Sequence, residues 1–282
     1  DGKVAMTNTY GYVNDVAEDG NTLWFATRDD GVVKYANDLH SPYFPDGPSS
    51  NYSYRLRFFG DKLYMLPGGR WATQLNRLGE IMIYENSEWT NIKNGDLVTQ
   101  ANHPIYDVMN VAQDPDDSEH YFVTTYGTGM LEMKGDSVIK LYMPDNSNLQ
   151  SAAPNHPRSY TRTDGAMFDD QGNLWVLNMG VSNGNIQIIT PNGEWHPLDI
   201  VYNGNLVTIH TAGEIMVDKR NPQWKWIPVL RYNTGLILLQ DNGTPTNPFD
   251  DKVTYRNEWM DQNGHLIAPE FIYCMAQDHN NT

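Results

Sequence analysis

Val16-Ala17-Glu18-Asp19-Gly20-Asn21-Thr22-Leu23-Trp24 and Met167-Phe168-Asp169-Asp170-Gln171-Gly172-Asn173-Leu174-Trp175 share one layout. An apolar strand leads into a short turn of Asp, Asn and Gly, and a second strand follows with an aromatic residue near its start. The layout recurs at Val111-Ala112-Gln113-Asp114 running to His120-Tyr121-Phe122, and at Met216-Val217-Asp218 running to Trp226. A weaker copy, Leu56-Arg57-Phe58-Phe59-Gly60-Asp61-Lys62-Leu63-Tyr64, lies between the first two. From Trp24 through Tyr64, Phe122 and Trp175 to Trp226 the steps are 40, 58, 53 and 51 residues. That spacing suits propeller blades, whose repeats run roughly 40 to 50 residues, and is too long for leucine-rich or ankyrin repeats.

After the aromatic strand a Gly- or Asn-containing turn leads to a third alternating strand. The copies are Gly31-Val32-Val33-Lys34-Tyr35, Gly79-Glu80-Ile81-Met82-Ile83-Tyr84, Gly129-Met130-Leu131-Glu132-Met133, Asn185-Ile186-Gln187-Ile188-Ile189 and Gly235-Leu236-Ile237-Leu238-Leu239. Period-two patterning bounded by Gly, Asn and Asp is the strand signature. A fourth strand often opens at a tryptophan after a tight turn, as in Asn86-Ser87-Glu88-Trp89 and Asn192-Gly193-Glu194-Trp195. The composition agrees, with 23 Gly, 16 Pro and 12% aromatic residues, and no amphipathic run insists on a helix. The expected fold is all-β: a propeller of four-stranded antiparallel blades, about five of them with the start of a sixth.

Residues 1–282 read as one repeat array, with the stretch from Asn94 to Pro104 as the place for a junction if there is one. Residue 1 is Asp and no charged start precedes an apolar run, so an export signal is expected to have been removed or never present. Phe271-Ile272-Tyr273-Cys274-Met275-Ala276-Gln277-Asp278-His279-Asn280 reads as the first strand and turn of another blade. Such a stop leaves an unpaired edge, so the chain is expected to be a piece of a longer protein or to have its ring completed by other residues.

No stretch of 18 apolar residues occurs, so no helix within the chain is expected to span a membrane. Net charge is −16, which disfavours nucleic acid as a partner because phosphate binding needs basic patches. The single cysteine, Cys274, excludes an internal disulfide framework and reads as a buried strand residue. Paired acids such as Asp29-Asp30, Asp116-Asp117 and Asp169-Asp170 fall in turns, where a carboxylate accepts a hydrogen bond from the backbone two residues on. They read as turn punctuation rather than as a glycosidase pair, since sequence neighbours on a strand face opposite ways.

No cofactor is expected. Calcium is the one ion the turns suggest, at Asp114, Asp116 and Asp117 or at Asp261-Gln262-Asn263-Gly264, and neither place completes the spacing of an EF-hand. The eight histidines, 40, 103, 120, 156, 196, 210, 265 and 279, include no i, i+4 pair and no HExxH, and no nucleophile elbow, P-loop or dinucleotide fingerprint is present. No catalytic residue is therefore assigned. Innermost strands offer mostly apolar residues with scattered polar ones, Asn14, Asn110, Thr163 and His210, which weighs against an enzyme.

In an up-and-down blade the connection from strand two to strand three shares a face with the connections between blades. On that face the loops are long and varied, as in Pro67 to Arg77, Thr125 to Thr128, Asn178 to Asn183 and Leu230 to Asn233, whereas the opposite turns are short and rich in Asp and Gly. Varied loops on a rigid scaffold are where recognition resides. The candidate ligand-binding residues are Arg28, Arg70, Trp71, Tyr126, Asn178, Arg231 and Tyr232, a mixture of aromatic planes and hydrogen-bonding groups suited to a glycan or a protein partner. Trp24, Trp175 and Trp226 read instead as core.

Asp19-Gly20-Asn21-Thr22-Leu23-Trp24-Phe25-Ala26-Thr27 followed by Gly31-Val32-Val33-Lys34-Tyr35, and Asp170-Gln171-Gly172-Asn173-Leu174-Trp175-Val176, resemble the two-component regulator propeller repeat. Tyr121-Phe122-Val123-Thr124-Thr125-Tyr126-Gly127-Thr128-Gly129-Met130, and Gly68-Gly69-Arg70 with Asn76-Arg77-Leu78-Gly79, are more similar to the variant in PorZ-like propeller proteins of the type IX secretion system. Tyr64 and Phe122 depart from the pattern by replacing its tryptophan, and Trp226-Ile227-Pro228 lacks the following Gly-Thr. The resemblance implies a non-enzymatic binding or assembly module, periplasmic or at the cell surface of a Gram-negative envelope. It implies as alternatives a glycan-sensing ectodomain of a hybrid sensor kinase and, from the enzyme class, a propeller-fold glycan hydrolase or lyase.

Overall fold

The computed structural model describes residues 12–28, 31–43, 46–70, 75–207, 209–231 and 233–278. Trp71, Tyr232, the Asp29-Asp30 pair and His279 lie outside the described residues. The chain forms two compact units, Asp1–Gly47 and Pro48–Thr282.

The first unit is a four-stranded antiparallel meander of β1 (Val13–Asp19), β2 (Thr22–Thr27), β3 (Val32–Ala36) and β4 (Leu39–Tyr43), paired in that order. Asp19 pairs with Thr22 across the turn, where Gly20 takes φ +60. At the other end of β2, both the amide and the hydroxyl of Thr27 donate to the Gly31 carbonyl, at 2.8 and 2.9 Å.

The second unit repeats the meander. Blade two holds β5 (Arg55–Phe59), β6 (Lys62–Leu66), β7 (Ile81–Glu85) and β8 (Glu88–Ile92). A short helix, α1 (Asn94–Ala101), leads to blade three: β9 (Val108–Asp114), β10 (Asp117–Gly127), β11 (Met130–Lys134) and β12 (Ser137–Tyr142). Blade four is β13 (Thr161–Phe168), β14 (Leu174–Met179), β15 (Ile186–Ile189) and β16 (Trp195–Leu198), and a small hairpin, β17 (Val201–Tyr202) with β18 (Asn205–Leu206), follows it. Blade five is β19 (Met216–Val217), β20 (Trp224–Val229), β21 (Gly235–Gln240) and β22 (Lys252–Arg256), and a last hairpin joins β23 (Trp259–Met260) to β24 (Leu266–Ile267). These are the four-stranded antiparallel blades of a β-propeller.

The cores lie between successive blades, as the alternation of each strand requires. Tyr64, Leu66 and Ile81 of blade two pack with Val111, Tyr121 and Leu131 of blade three. Phe122 and Met130 meet Leu174 and Val176 of blade four, and Trp175, Leu177 and Ile188 meet Ile227, Ile237 and Leu239 of blade five. At one end blades three and four are also joined through the backbone, with Tyr126 opposite Arg162 and Gly127 opposite Thr161.

Four expectations change. The stretch after Ile92 is helical: Leu97 is fully buried and Val98 and Ala101 pack against the core of blades two and three, so docking stabilises a helix too short to show a period. Trp24 and Trp226 are only half-buried, and the buried position beside Trp226 belongs to Lys225, whose ammonium lies 4.6 Å from the Trp175 ring centroid. Residues 271–278 pair with no strand, and Cys274 is exposed. The next repeat begins earlier, at Met260-Asp261-Gln262-Asn263-Gly264-His265-Leu266, which matches Phe168-Asp169-Asp170-Gln171-Gly172-Asn173-Leu174 in layout and forms the same kind of hairpin.

One acid of each described pair, Asp117 and Asp169, does what the sequence suggests, and further turn acids do the same. The carboxylates of Asp114, Asp117, Asp169, Asp218, Asp241 and Asp261 each accept an amide two residues on, at 2.8–3.1 Å. Asp169 and Asp218 also receive the indole N–H of Trp175 and Trp226. Each of these acids thus ties a turn, or a turn and its aromatic anchor, into one unit.

Candidate functional site

On the long-loop face of the second unit, β10 ends at Tyr126 and Gly127 before turning into β11. Thr125 fixes this turn, since its hydroxyl donates to Gly129 O at 2.9 Å and accepts the Thr128 amide at 2.9 Å. Thr163 of blade four reaches into the same turn, donating to Gly129 O and Thr125 O and accepting the Thr125 amide. The end of β10 is therefore held from two blades, and Tyr126 rises from a rigid base.

Two guanidinium groups lie by the Tyr126 ring, Arg70 at 5.3 Å and Arg162 at 4.9 Å from its centroid. Arg162 also lies 5.7 Å from the Tyr160 ring. Beside them opens a cavity of about 490 Å³, lined by Tyr106, Tyr126, Tyr160, Arg158, Arg162, His103, Asn76, Asp107 and their neighbours. Tyr106 and Tyr160 are 39% and 43% exposed, so their rings are available to a ligand. Asp107, the acid in the wall, accepts the amides of Asn76 and Arg77 at 3.0 and 2.9 Å and pins the preceding loop with backbone at φ +53. Burial raises its pKa against those hydrogen bonds. Aromatic faces with guanidinium donors and a fully engaged carboxylate suit binding by stacking and hydrogen bonding.

Arg70 and Tyr126, both expected from sequence, are thus brought together. Arg70 is buried rather than presented: it pairs with Asp164, donates to Ala212 O at 3.0 Å and lies against the Tyr126 ring. Asn178 is fully buried, its amide donating to Gln150 O and Arg162 O and accepting the Gln150 amide at 2.7 Å. It holds the inter-blade loop against β13 and β14. Arg231 is exposed elsewhere on the unit, 5.8 Å from the Phe271 ring. Arg28, in the first unit, is exposed and its amide donates to Tyr12 O at 2.9 Å. Sequence reading missed Arg162, Arg158, Tyr160 and Tyr106, which lie in strand and inter-blade segments. The signal was the Arg-Ser-Tyr-Thr-Arg run at 158–162, two arginines around a tyrosine in the turn that leads into β13.

A second polar group lies among the inner strands, where apolar residues were expected. Arg55 and Arg57 of β5, Arg70, Asp164 of β13 and Glu214 just before β19 form one buried charge cluster. Arg57 donates to Glu214 Oε1 at 2.7 Å, Arg55 lies 3.5 Å from Glu214 and 3.9 Å from Asp164, and Arg70 pairs with Asp164. Both acids of the cluster face arginines.

A third group crosses blade three on the short-turn face. His120 bonds Asp114 at 2.9 Å and Glu132 at 3.0 Å, and Tyr142 donates to Glu132 at 2.7 Å, so β9 to β12 contribute one residue each. Burial works against the imidazolium, but the two carboxylates outweigh it and raise the His120 pKa. Asp114, Asp117, Asp169, Asp218, Asp241 and Asp261 are each engaged by a backbone amide, and no group of three metal-binding side chains occurs among the described residues.

Residues 79–261, well over half of the chain, match the sequence model of the 3-keto-alpha-glucoside-1,2-lyase-like domain. The chain belongs to this family. The sequence had led us to expect the two-component regulator propeller repeat, and of that expectation the propeller architecture holds. No curated protein matches the chain. Among solved structures, PorZ, an essential surface component of the type IX secretion system of Porphyromonas gingivalis, superposes with a TM-score of 0.77 at 25% identity over 95% of this chain. The chain spans only 37% of PorZ. The extracellular domain of a hybrid two-component system of B. thetaiotaomicron follows at TM-score 0.45 and 18% identity, covering 92% of this lyase-like family member and 32% of that chain. An ancestral GH74 enzyme gives 0.46 and 13%, with 87% and 38% covered. No helix of the described residues is long and apolar enough to cross a membrane.

Proposed function

We propose that this chain is a non-enzymatic, extracytoplasmic binding or assembly module of the bacterial envelope, working through the Tyr126 cavity. The observation that carries the reading is the cavity itself: three tyrosines and two arginines on the long-loop face, held by two blades, with their one acidic neighbour occupied by backbone amides. Its volume falls in the range of small-molecule pockets, roughly 300–1,000 Å³. The likeness to PorZ over nearly the whole chain supports a place at the cell surface and a secretion-linked role. The ligand is a glycan, stacked on tyrosine and bonded by arginine, or a protein partner using the same anchors.

The test is binding measured by calorimetry against a panel of neutral and charged oligosaccharides and by capture of exported envelope proteins from the same organism. Tyr160→Ala and Arg158→Gln change exposed groups and should leave the fold intact while lowering affinity about tenfold or more. Affinity indifferent to both substitutions would remove the cavity from the reading.

A second reading, a lyase or hydrolase acting on a keto-glucoside, is favoured by the family match. Against it stand the buried, arginine-paired states of Asp164 and Glu214. Product release from a 3-keto-glucoside that is lost in Asp164→Asn would establish it in place of the binding role.

A further inference from the structure

The inner charge cluster borders a separate cavity of about 740 Å³, formed by residues 51–57, Arg77, Glu214 and residues 273–276. Arg55 and Arg57 are two apart on β5, so their side chains leave the strand on the same face. Their terminal nitrogens meet Glu214, and Arg55 also donates to Gly213 O at 2.9 Å. Glu214 is shared further, accepting the Met275 amide at 3.4 Å. The Nε atoms of both arginines are buried and take no hydrogen-bond acceptor among the described residues.

The charges do not balance. Among the described residues that line the cavity, the charged groups are Arg55, Arg57 and Arg77 against Glu214 alone, and Arg77 lies 4.3 Å from the Tyr52 ring with one nitrogen donating to Pro67 O at 2.8 Å. A surplus of positive charge is thus gathered at one place in a chain of net charge −16. A buried charge without a counter-ion is unfavourable by several kcal/mol, and a buried N–H without an acceptor adds to that cost. Burial lowers the Arg57 pKa, and Arg55 lowers it further against the pull of Glu214. Arg57, with its side chain 20% exposed against 9% for Arg55, is the member nearer the opening.

We infer that this cavity is a binding site for a small organic carboxylate, distinct from the Tyr126 cavity, with Arg57 as its main contact and Arg55 and Arg77 supplying the balancing charge. A carboxylate presents two oxygens to guanidinium N–H groups in matching geometry, which is why arginine is favoured over lysine for this task. The rings of Tyr52, Tyr54 and Tyr273 in the wall provide apolar surface for the rest of a small acid. Inorganic phosphate shares the oxyanion chemistry, and the experiment separates the two.

The full chain is titrated with acetate, succinate and citrate, and separately with phosphate and sulfate, in chloride at constant ionic strength, followed by calorimetry and thermal unfolding. At least one carboxylate should bind saturably and raise Tm by about 5 °C at roughly 100-fold over its Kd. Arg57→Gln should weaken that binding at least tenfold, Arg57→Lys less, and Arg158→Gln in the other cavity not at all. Should Arg57→Gln fail to fold, Arg77→Gln reports on the same site and should weaken binding severalfold. Absence of saturable binding, or binding that survives both Arg57→Gln and Arg77→Gln, overturns the inference. Saturation by phosphate or sulfate in preference to every carboxylate overturns the ligand class.

Discussion

Trp175 donates its indole N–H to Asp169 Oδ2 at 2.8 Å, and both residues are buried, Trp175 in the core shared by blades four and five. The other Asp169 oxygen accepts the amides of Gln171 and Asn173 at 2.9 and 2.8 Å, and the Asn173 side chain bonds both oxygens. One carboxylate therefore fixes the turn and the orientation of the blade's aromatic anchor. Asp218 does the same for Trp226 at 3.0 Å, with a longer turn.

Removing this acceptor should be costly. Asp169→Ala leaves the indole N–H and the Asn173 amide without partners inside the protein, and unsatisfied buried groups cost about 1–3 kcal/mol each. A loss of about 3 kcal/mol is expected in urea unfolding followed by tryptophan fluorescence, with Asp169→Asn losing less because it keeps one acceptor. A loss below about 1 kcal/mol would show that water replaces the carboxylate and that the turn does not depend on it.

The repeats were legible because this bond set needs fixed residues at fixed positions: Asp to accept, Gly or Asn for the left-handed turn, an aromatic to fill the space between blades. Where the demands relax, the pattern fades. Met260-Asp261 to Leu266 was passed over as a repeat because Ile267 stands where Trp175 stands in blade four, although Asp261 accepts Asn263 and His265 amides as Asp169 accepts its own. Of the site, Arg70 and Tyr126 were visible as loop residues, yet only the register of β10 against β13 brings Arg162 beside Tyr126. Asp164 and Glu214 could not be read as a cluster, since 50 residues separate them and the pairing partners lie on another blade.

The His120 bridge predicts pH-dependent stability. Its folded pKa lies above the ordinary value near 6.5, so the folded state holds the proton more tightly than the unfolded one. The contribution is complete below about pH 6.5 and is lost as pH rises through the folded pKa. Thermal unfolding from pH 5.5 to 9 should show Tm falling across that window, and His120→Gln should flatten that part of the slope. A slope unchanged by the substitution would assign the effect to other groups.

Asp251 acts in the same direction for a different reason. Burial, with Asp241 and Asp250 nearby, pushes its pKa up to about 7, with Lys225 opposing. The unfolded carboxyl ionises near 3.9, so between about pH 4 and 7 the folded state binds a proton that the unfolded state releases, and stability falls as pH rises. Above pH 7 both states are ionised and the loss is constant. Asp251→Asn should match the parent at pH 4 and exceed it by about 1–2 kcal/mol at pH 8, after allowing for solvent screening of a half-open group. Equal stability of the two proteins at pH 8 would mean that Asp251 finds a partner in solution.

Gly165 sets how closely blades four and five approach at the inner cluster. A Cβ placed there would lie 2.6 Å from the Glu214 carbonyl carbon and the Ile215 nitrogen, contacts that backbone cannot relieve by a rotamer change. Gly165→Ala should therefore move β13 away from the segment carrying Glu214, disturb the ion pairs around Asp164, and destabilise by about 1–3 kcal/mol as overpacking does. Because Arg57 depends on Glu214 for its position, the same variant should lose carboxylate binding, and because Arg162 and Thr163 stand on β13 and Arg70 links Asp164 to the Tyr126 ring, it should weaken binding at the Tyr126 cavity as well. Measuring both affinities in one preparation decides the matter. Loss at the inner site alone would mean that the Tyr126 cavity does not depend on Asp164 or on the position of β13, and loss at neither would mean that the strands tolerate the methyl group.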